Sequence, residues 1–148
     1  MSEYRYTECG LDNVIIDGAS FLVDDKGDNV IRIPNVNGLH RVIALGIVKR
    51  KAMMSGREMR FLRSEMGMTQ AELAEMIHRE PLTVSRWERS ESDIDANAET
   101  LLRLYAIEIL KLAVEDGVSA ISGWSIPSAV QHPILIDGRD TKNYHLAA

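Results

Sequence analysis

The residues best suited to chemistry lie between positions 81 and 89. At 100° per residue from Pro81, a helical wheel places Leu82, Ser85, Arg86 and Arg89 on one stripe and Thr83, Val84 and Trp87 on the opposite one. The second set is apolar enough to bury, which turns the first set outward. Arg86 and Arg89 on such a stripe offer donors to phosphate oxygens or to the edge of a guanine. Covalent chemistry has no comparable candidate. The sequence holds no phosphate-cradling glycine loop, no activated nucleophile, no paired carboxylates in a recognisable frame and no metal-ligand cluster. The chain is therefore expected not to be an enzyme, with no catalytic residue, no metal and no cofactor.

The stripe is set by two short helices that meet at a corner. Thr69 and Glu72 have the spacing of a capping box, which starts a helix in which Leu73, Ala74 and Ile77 share one side while Glu72, Glu75 and Met76 take the other. Pro81 suits a first helical turn, and it pushes Glu80 away from helical angles. The break between the helices is thus confined to about 78–80. Upstream, Ser55 and Glu58 form a second capping box ahead of Met59, Leu62 and Met66, and Gly67 supplies a stop. Downstream, the polar run 90–95 ends the second helix, and Asp95 or Asn97 caps a long helix of about 98–115.

Over about 55–105 the chain resembles the Cro/cI-type, or XRE-like, helix-turn-helix regulators. The resemblance is carried by Met68-Thr69-Gln70-Ala71-Glu72-Leu73-Ala74 and Val84-Ser85-Arg86-Trp87-Glu88. It implies a lambda-repressor-like helical bundle and an operator in double-stranded DNA. It also implies a DNA-facing set of Thr69, Gln70, Arg79, Pro81, Leu82, Ser85, Arg86 and Arg89. In that frame Gln70 touches a phosphate, Pro81, Leu82, Ser85 and Arg86 meet base edges, and Arg63 pairs with Glu88 behind the recognition helix. Three corner residues depart from the pattern: His78 stands where the family has Gly, Arg79 where it has an apolar residue, and Glu80 where it has Ser or Thr. His78 must then accept a left-handed backbone. Pro81 and Leu82 offer bases only apolar contact, so sequence preference rests on Arg86, Ser85 and DNA shape.

Charge is distributed in keeping with this. The chain carries a net −5 overall, yet 41–89 holds ten Lys/Arg against six Asp/Glu. A basic segment within an acidic chain calls for a locally directed, salt-sensitive contact with nucleic acid. A single cysteine, Cys9, excludes an intrachain disulfide and a multi-cysteine zinc site, and the four histidines (40, 78, 132 and 145) have no ligand spacing. No uninterrupted apolar run of membrane length is present, the longest candidate being cut by Arg103, Glu108 and Lys111, and no secretory signal is recognised, so no membrane association and a cytoplasmic location are expected.

Residues 1–37 have a different character. Val14–Ile16, Phe21–Val23 and Val30–Ile33 are β-prone runs separated by Asp17-Gly18 and by 24–28, which predicts a small N-terminal antiparallel sheet. The expected class is α+β, mainly α. Three segments follow: β-rich 1–37, a helical domain 38–116 opening with a helix of about 39–50, and a loop 117–148 with a possible added strand. Ile134-Leu135-Ile136-Asp137-Gly138 echoes Val14-Ile15-Ile16-Asp17-Gly18 and is expected to add a strand to the N-terminal sheet, in the same subunit or in a second one. The layout from Tyr4 to Val14, set beside an XRE-like domain, is similar to that of MqsA/YgiT-type antitoxins without their zinc cysteines. That similarity implies an alternative role, binding a toxin or other partner protein while autoregulating an operon. Apolar residues cover so much of the long helix that one side needs another segment or a second subunit, and a dimeric repressor is favoured.

Overall fold

The computed structural model describes residues 2–147. Among them the chain is α+β, with six helices and a small mixed sheet. The order is β1 (Ser2–Arg5), β2 (Val14–Val23), β3 (Asn29–Arg32), α1 (Val36–Lys49), α2 (Gly56–Glu65), α3 (Gln70–Met76), α4 (Pro81–Glu88), α5 (Ala96–Leu110), α6 (Val118–Ser122), β4 (Ile134–Asp137) and β5 (His145–Leu146). The chain forms two units, Met1–Ile43 with His132–Ala148, and Ala44–Gln131, so the division falls within α1.

In the first unit the sequence expectation needs two corrections. Asp17-Gly18 is not a turn, because β2 runs through it as one ten-residue strand. Gly18 takes φ +76°, which a residue without Cβ adopts readily, and the register against β1 slips by one between Ser2↔Ala19 and Tyr4↔Ile16. Nor is the sheet purely antiparallel and N-terminal. β4 lies parallel to β2, with Val14 opposite Ile134 and Asp17 opposite Asp137, so the two echoing segments are direct neighbours. Their apolar residues bury together: Val14, Ile16, Ile134 and Ile136 join Tyr6, Leu11, Leu39, Ile43 and Tyr144 in this core. The tail from 141 onward, which shows no sequence signal, adds β5 antiparallel to β4. Tyr144 then reaches back, its hydroxyl donating to Pro34 O at 2.6 Å.

At the β4 terminus, Arg139 Nη2 and Nε donate to the Asp137 carboxylate at 2.6 and 3.0 Å, and the Arg139 N–H adds a third bond at 3.1 Å. These bonds hold the Asp137 carboxyl well below its ordinary value.

The second unit is helical. Both capping boxes form: Ser55 Oγ accepts from Glu58 N and Thr69 Oγ1 from Glu72 N, each with the reciprocal bond. Three helices close alike, with the N–H two residues past the cap bonded back to the carbonyl five residues earlier. These bonds are Met68 N to Arg63 O, Arg79 N to Ala74 O and Glu91 N to Arg86 O. The intervening left-handed residue is Gly67 after α2, His78 (φ 58°) after α3 and Ser90 (φ 59°) after α4. The long helix is α5, capped by Asp95, and it stops at Leu110 rather than near 115 because Lys111 turns left-handed at φ 52°. Its inner side holds Ala98, Leu102 and Ala106, α6 packs against it, and Leu101 and Ile109 stay exposed.

Arg103 sits at the centre of this unit, fully buried together with Glu99. Nη1 donates to Val48 O and Arg50 O at 2.7 and 2.8 Å, and Nη2 to Ala52 O and Glu99 Oε1 at 2.6 and 2.7 Å. Nε completes the set with Glu99 Oε1 at 3.0 Å. All five N–H donors of the guanidinium are therefore used. Glu99 in turn accepts from Met54 N at 2.8 Å and from Ser125 Oγ at 2.7 Å. Carbonyls at the end of α1 and in the irregular segment after it are satisfied without water.

Two outcomes are expected. Arg103→Met should lower the unfolding free energy by about 3–5 kcal/mol, because Glu99 and three carbonyls lose their partner. Adding Glu99→Gln should recover part of that loss, as read by urea denaturation in a double-mutant cycle. For Asp137, a folded pKa below the ordinary 3.8 means that its contribution is present above that pH and is lost as pH falls beneath it. Asp137→Asn should therefore flatten the acid limb of the stability curve, as read by urea unfolding at a series of pH values.

Candidate functional site

α3 and α4 pack on each other through the sides the wheel assigns to them. Leu73, Ala74 and Ile77 of α3 are buried, as are Val84 and Trp87 of α4, while Thr83 is half-buried. α4 is also fixed from behind by α2. A Cβ added to Gly56 would fall within 2.6 Å of Glu88 O and against Trp87 O, so the start of α2 meets the final carbonyls of α4 with no side chain between them. These two contacts leave α4 one free side.

Between the three helices lies a polar junction. Arg63 on α2 forks onto Glu88 of α4, Nε to Oε2 at 2.7 Å and Nη2 to Oε1 at 3.0 Å. Its remaining amine donates to Met68 O at 2.9 Å, just before α3. Gln70 on the first turn of α3 donates Nε2 to Glu88 Oε1 at 3.0 Å. One nearly buried carboxylate thus fixes the angular positions of all three helices, and the hydrogen bonds it accepts from Arg63, together with its charge, raise the Arg63 pKa above the ordinary value.

On the free side, Pro81, Leu82 and Arg86 are exposed and Ser85 is half-exposed, with Leu82 at 55%. Among the described residues the Arg86 side chain has no hydrogen-bond or ion-pair partner. Arg89 is exposed but pairs with Glu91 at 2.5 Å. Arg79 lies at the corner, where Nη2 donates to both oxygens of Asp95 at 2.9 and 3.0 Å and the guanidinium stands 6.0 Å from the Trp87 ring centre. Thr69 is exposed, its hydroxyl used in the cap, and its N–H holds the Glu72 carboxyl below its ordinary pKa. The implied set is therefore not uniform: Arg86 is uncommitted, Arg79 and Arg89 are held by carboxylates, and Gln70 is shared with the junction.

The sequence reading did not include the Gln70–Glu88 bond or the Arg79–Asp95 pair. A spacing of 18 or 16 residues has no periodic signature, so neither was available from pattern. A cleft of about 450 Å³ also opens beside the end of α4, with Met53, Met59, Trp87 and Ile94 in its wall and Asp93 at its rim. Among the described residues no group of three or more His, Cys, Asp or Glu is placed to hold a metal ion, and no helix is long and apolar enough to cross a membrane. Comparison of the chain with protein-family models, curated proteins and solved structures gives no match in any of the three.

Arg63→Ala should cost about 2–3 kcal/mol of stability, since it strands a nearly buried carboxylate. A cycle with Glu88→Gln, followed by thermal and urea unfolding, should return a coupling energy of about 1–3 kcal/mol. Additive losses would mean that the pair does not set the junction.

Proposed function

We propose that this chain is a sequence-specific DNA-binding regulator of the Cro/cI-type, or XRE-like, class, acting as a dimeric repressor. In this reading α3, the corner 77–80 and α4 are a helix-turn-helix within a lambda-repressor-like bundle, and α4 enters the major groove. The observation that carries it is Arg86, an exposed guanidinium without an internal partner among the described residues, on the single free side of a helix fixed on its other sides. A bidentate contact from Arg86 to a guanine supplies direct readout, with Ser85 beside it and Leu82 against a thymine methyl. Gln70 and Thr69 at the start of α3 meet the phosphate backbone. Arg79 and Arg89 exchange Asp95 and Glu91 for phosphate oxygens, which ties binding to salt concentration. The surplus of basic residues within 41–89 supports the same placement.

Selection of duplexes from a random library, followed by fluorescence anisotropy at several salt concentrations, tests the reading. The parent should enrich a sequence, and its affinity should fall steeply with salt. Arg86→Ala should reduce discrimination between selected and random duplex by about 10–100-fold with an unchanged circular dichroism spectrum. Gln70→Ala should weaken both duplexes alike. Failure to enrich any duplex, or parental selectivity in Arg86→Ala, would overturn the assignment.

A further inference from the structure

The β2–β3 hairpin extends past the rest of its sheet and is exposed on both faces. Leu22 is 53% exposed and its cross-strand partner Val30 45%; Phe21 and Val23, facing the other way, are exposed as well. Apolar residues on both faces of a two-stranded ribbon are unusual, because such a ribbon is marginal alone. β3 pairs only with β2, so among the described residues no strand covers its outer edge. That edge has no proline or lysine within Asn29–Arg32 to blunt it.

The hydrogen-bond parity of the hairpin restricts what can add there. Asp24 N donates to Asp28 O at 2.9 Å, which makes 24 and 28 a hydrogen-bonded pair. In an antiparallel ladder such pairs alternate, so Asp28, Val30 and Arg32 direct their backbone groups toward β2, while Asn29 and Ile31 direct theirs outward. A second β3 added antiparallel must therefore oppose odd residues to odd ones. Four registers place the twofold on a residue of the strand, and the one centred on Arg32 sets Arg32 against its own copy, two like charges. Centred on Asn29, the twofold sets Arg32 against Lys26 of the other copy, two like charges. Centred on Ile31, it sets Arg32 against Val30. Centred on Val30, it sets Asp28 of each copy opposite Arg32 of the other, and Asn29 and Ile31 exchange their outward backbone bonds. Neither Asp28 nor Arg32 has a side-chain ion pair among the described residues.

We infer that β3 is a self-association edge, at which a second copy of this chain adds antiparallel about a twofold axis through Val30. The joined ribbons form a four-stranded sheet, with Leu22 and Val30 of both copies in one apolar row flanked by two Asp28–Arg32 pairs. The self-complementarity lies in the i, i+4 placement of opposite charges about Val30, which puts all three side chains on one face. The inference stands on the hairpin alone and holds whatever α4 binds.

Charge exchange tests it without disturbing a core. Asp28→Arg alone and Arg32→Asp alone each place like charges opposite one another twice per dimer, and should weaken self-association about tenfold in sedimentation equilibrium. Mixing the two variants restores both opposite-charge pairs, so the mixture should form a heterodimer about as tight as the parent dimer. In a Cys9→Ser background, Val30→Cys should give a disulfide-linked dimer under mild oxidation, whereas Val23→Cys, near the hairpin tip and off the axis, should not. A parent that stays monomeric up to millimolar concentration, leaving the edge to a strand of another protein, would overturn the inference. So would a dimer indifferent to both single reversals, which would associate through another surface. Loss of DNA selection in Arg86→Ala bears on α4 alone, so the two readings fail separately.

Discussion

The helical unit depends on burying a charge. Arg103 and Glu99 lie wholly out of water, and such a pair is tolerable only when every donor and acceptor is matched. Here the matching does structural work, because the partners are backbone groups of 48–54, a stretch that leaves α1 and never forms regular structure before α2 begins. An irregular segment packed against a helix normally keeps contact with solvent to satisfy its carbonyls. The guanidinium substitutes for that solvent with three of its five donors, the other two being held by Glu99. The pairing continues outward, since Arg50 bridges to buried Glu58, whose Oε1 also caps Ser55 N at 2.7 Å and so starts α2.

From α2 the constraint passes to the helices that carry the proposed DNA face. Glu88 receives Arg63 and Gln70, so the rotation of α4 is referred to both α2 and α3. The proposed function needs little else from the chain. A helix whose rotation is held by a fork-shaped ion pair and a glycine contact presents its free side at a defined angle, which is the requirement for reading a groove with few side chains. His78 and Ser90 hold the left-handed positions after α3 and α4 that Gly67 fills after α2, each at some cost in backbone energy that the packed helices on either side offset.

The sheet unit follows another logic. Its buried part is a four-strand arrangement in which two similar apolar segments lie side by side, and the hairpin beyond it has no core of its own. The open edge of β3 and the opposite charges of Asp28 and Arg32 on either side of Val30 are properties of that overhang.

How far the sequence determined this structure follows the range of each interaction. Both capping boxes, the Pro81 start and the inward side of Trp87 and Val84 were legible, because each depends on residues within about four positions of one another. The left-handed His78 followed from the resemblance, in which it stands at a glycine position. The Arg63–Glu88 pair was reached through a resemblance and not through pattern. The continuous β2 strand, the parallel β4 neighbour and the end of α5 at Lys111 were read wrongly or only in part, since a glycine bulge and a turn share one composition and strand direction has no local signature. Arg103 read as a break in an apolar run. Whether an arginine lies in water or carries a core is set by which distant carbonyls reach it, and only the assembled tertiary structure, where long-range packing excludes solvent, decides that.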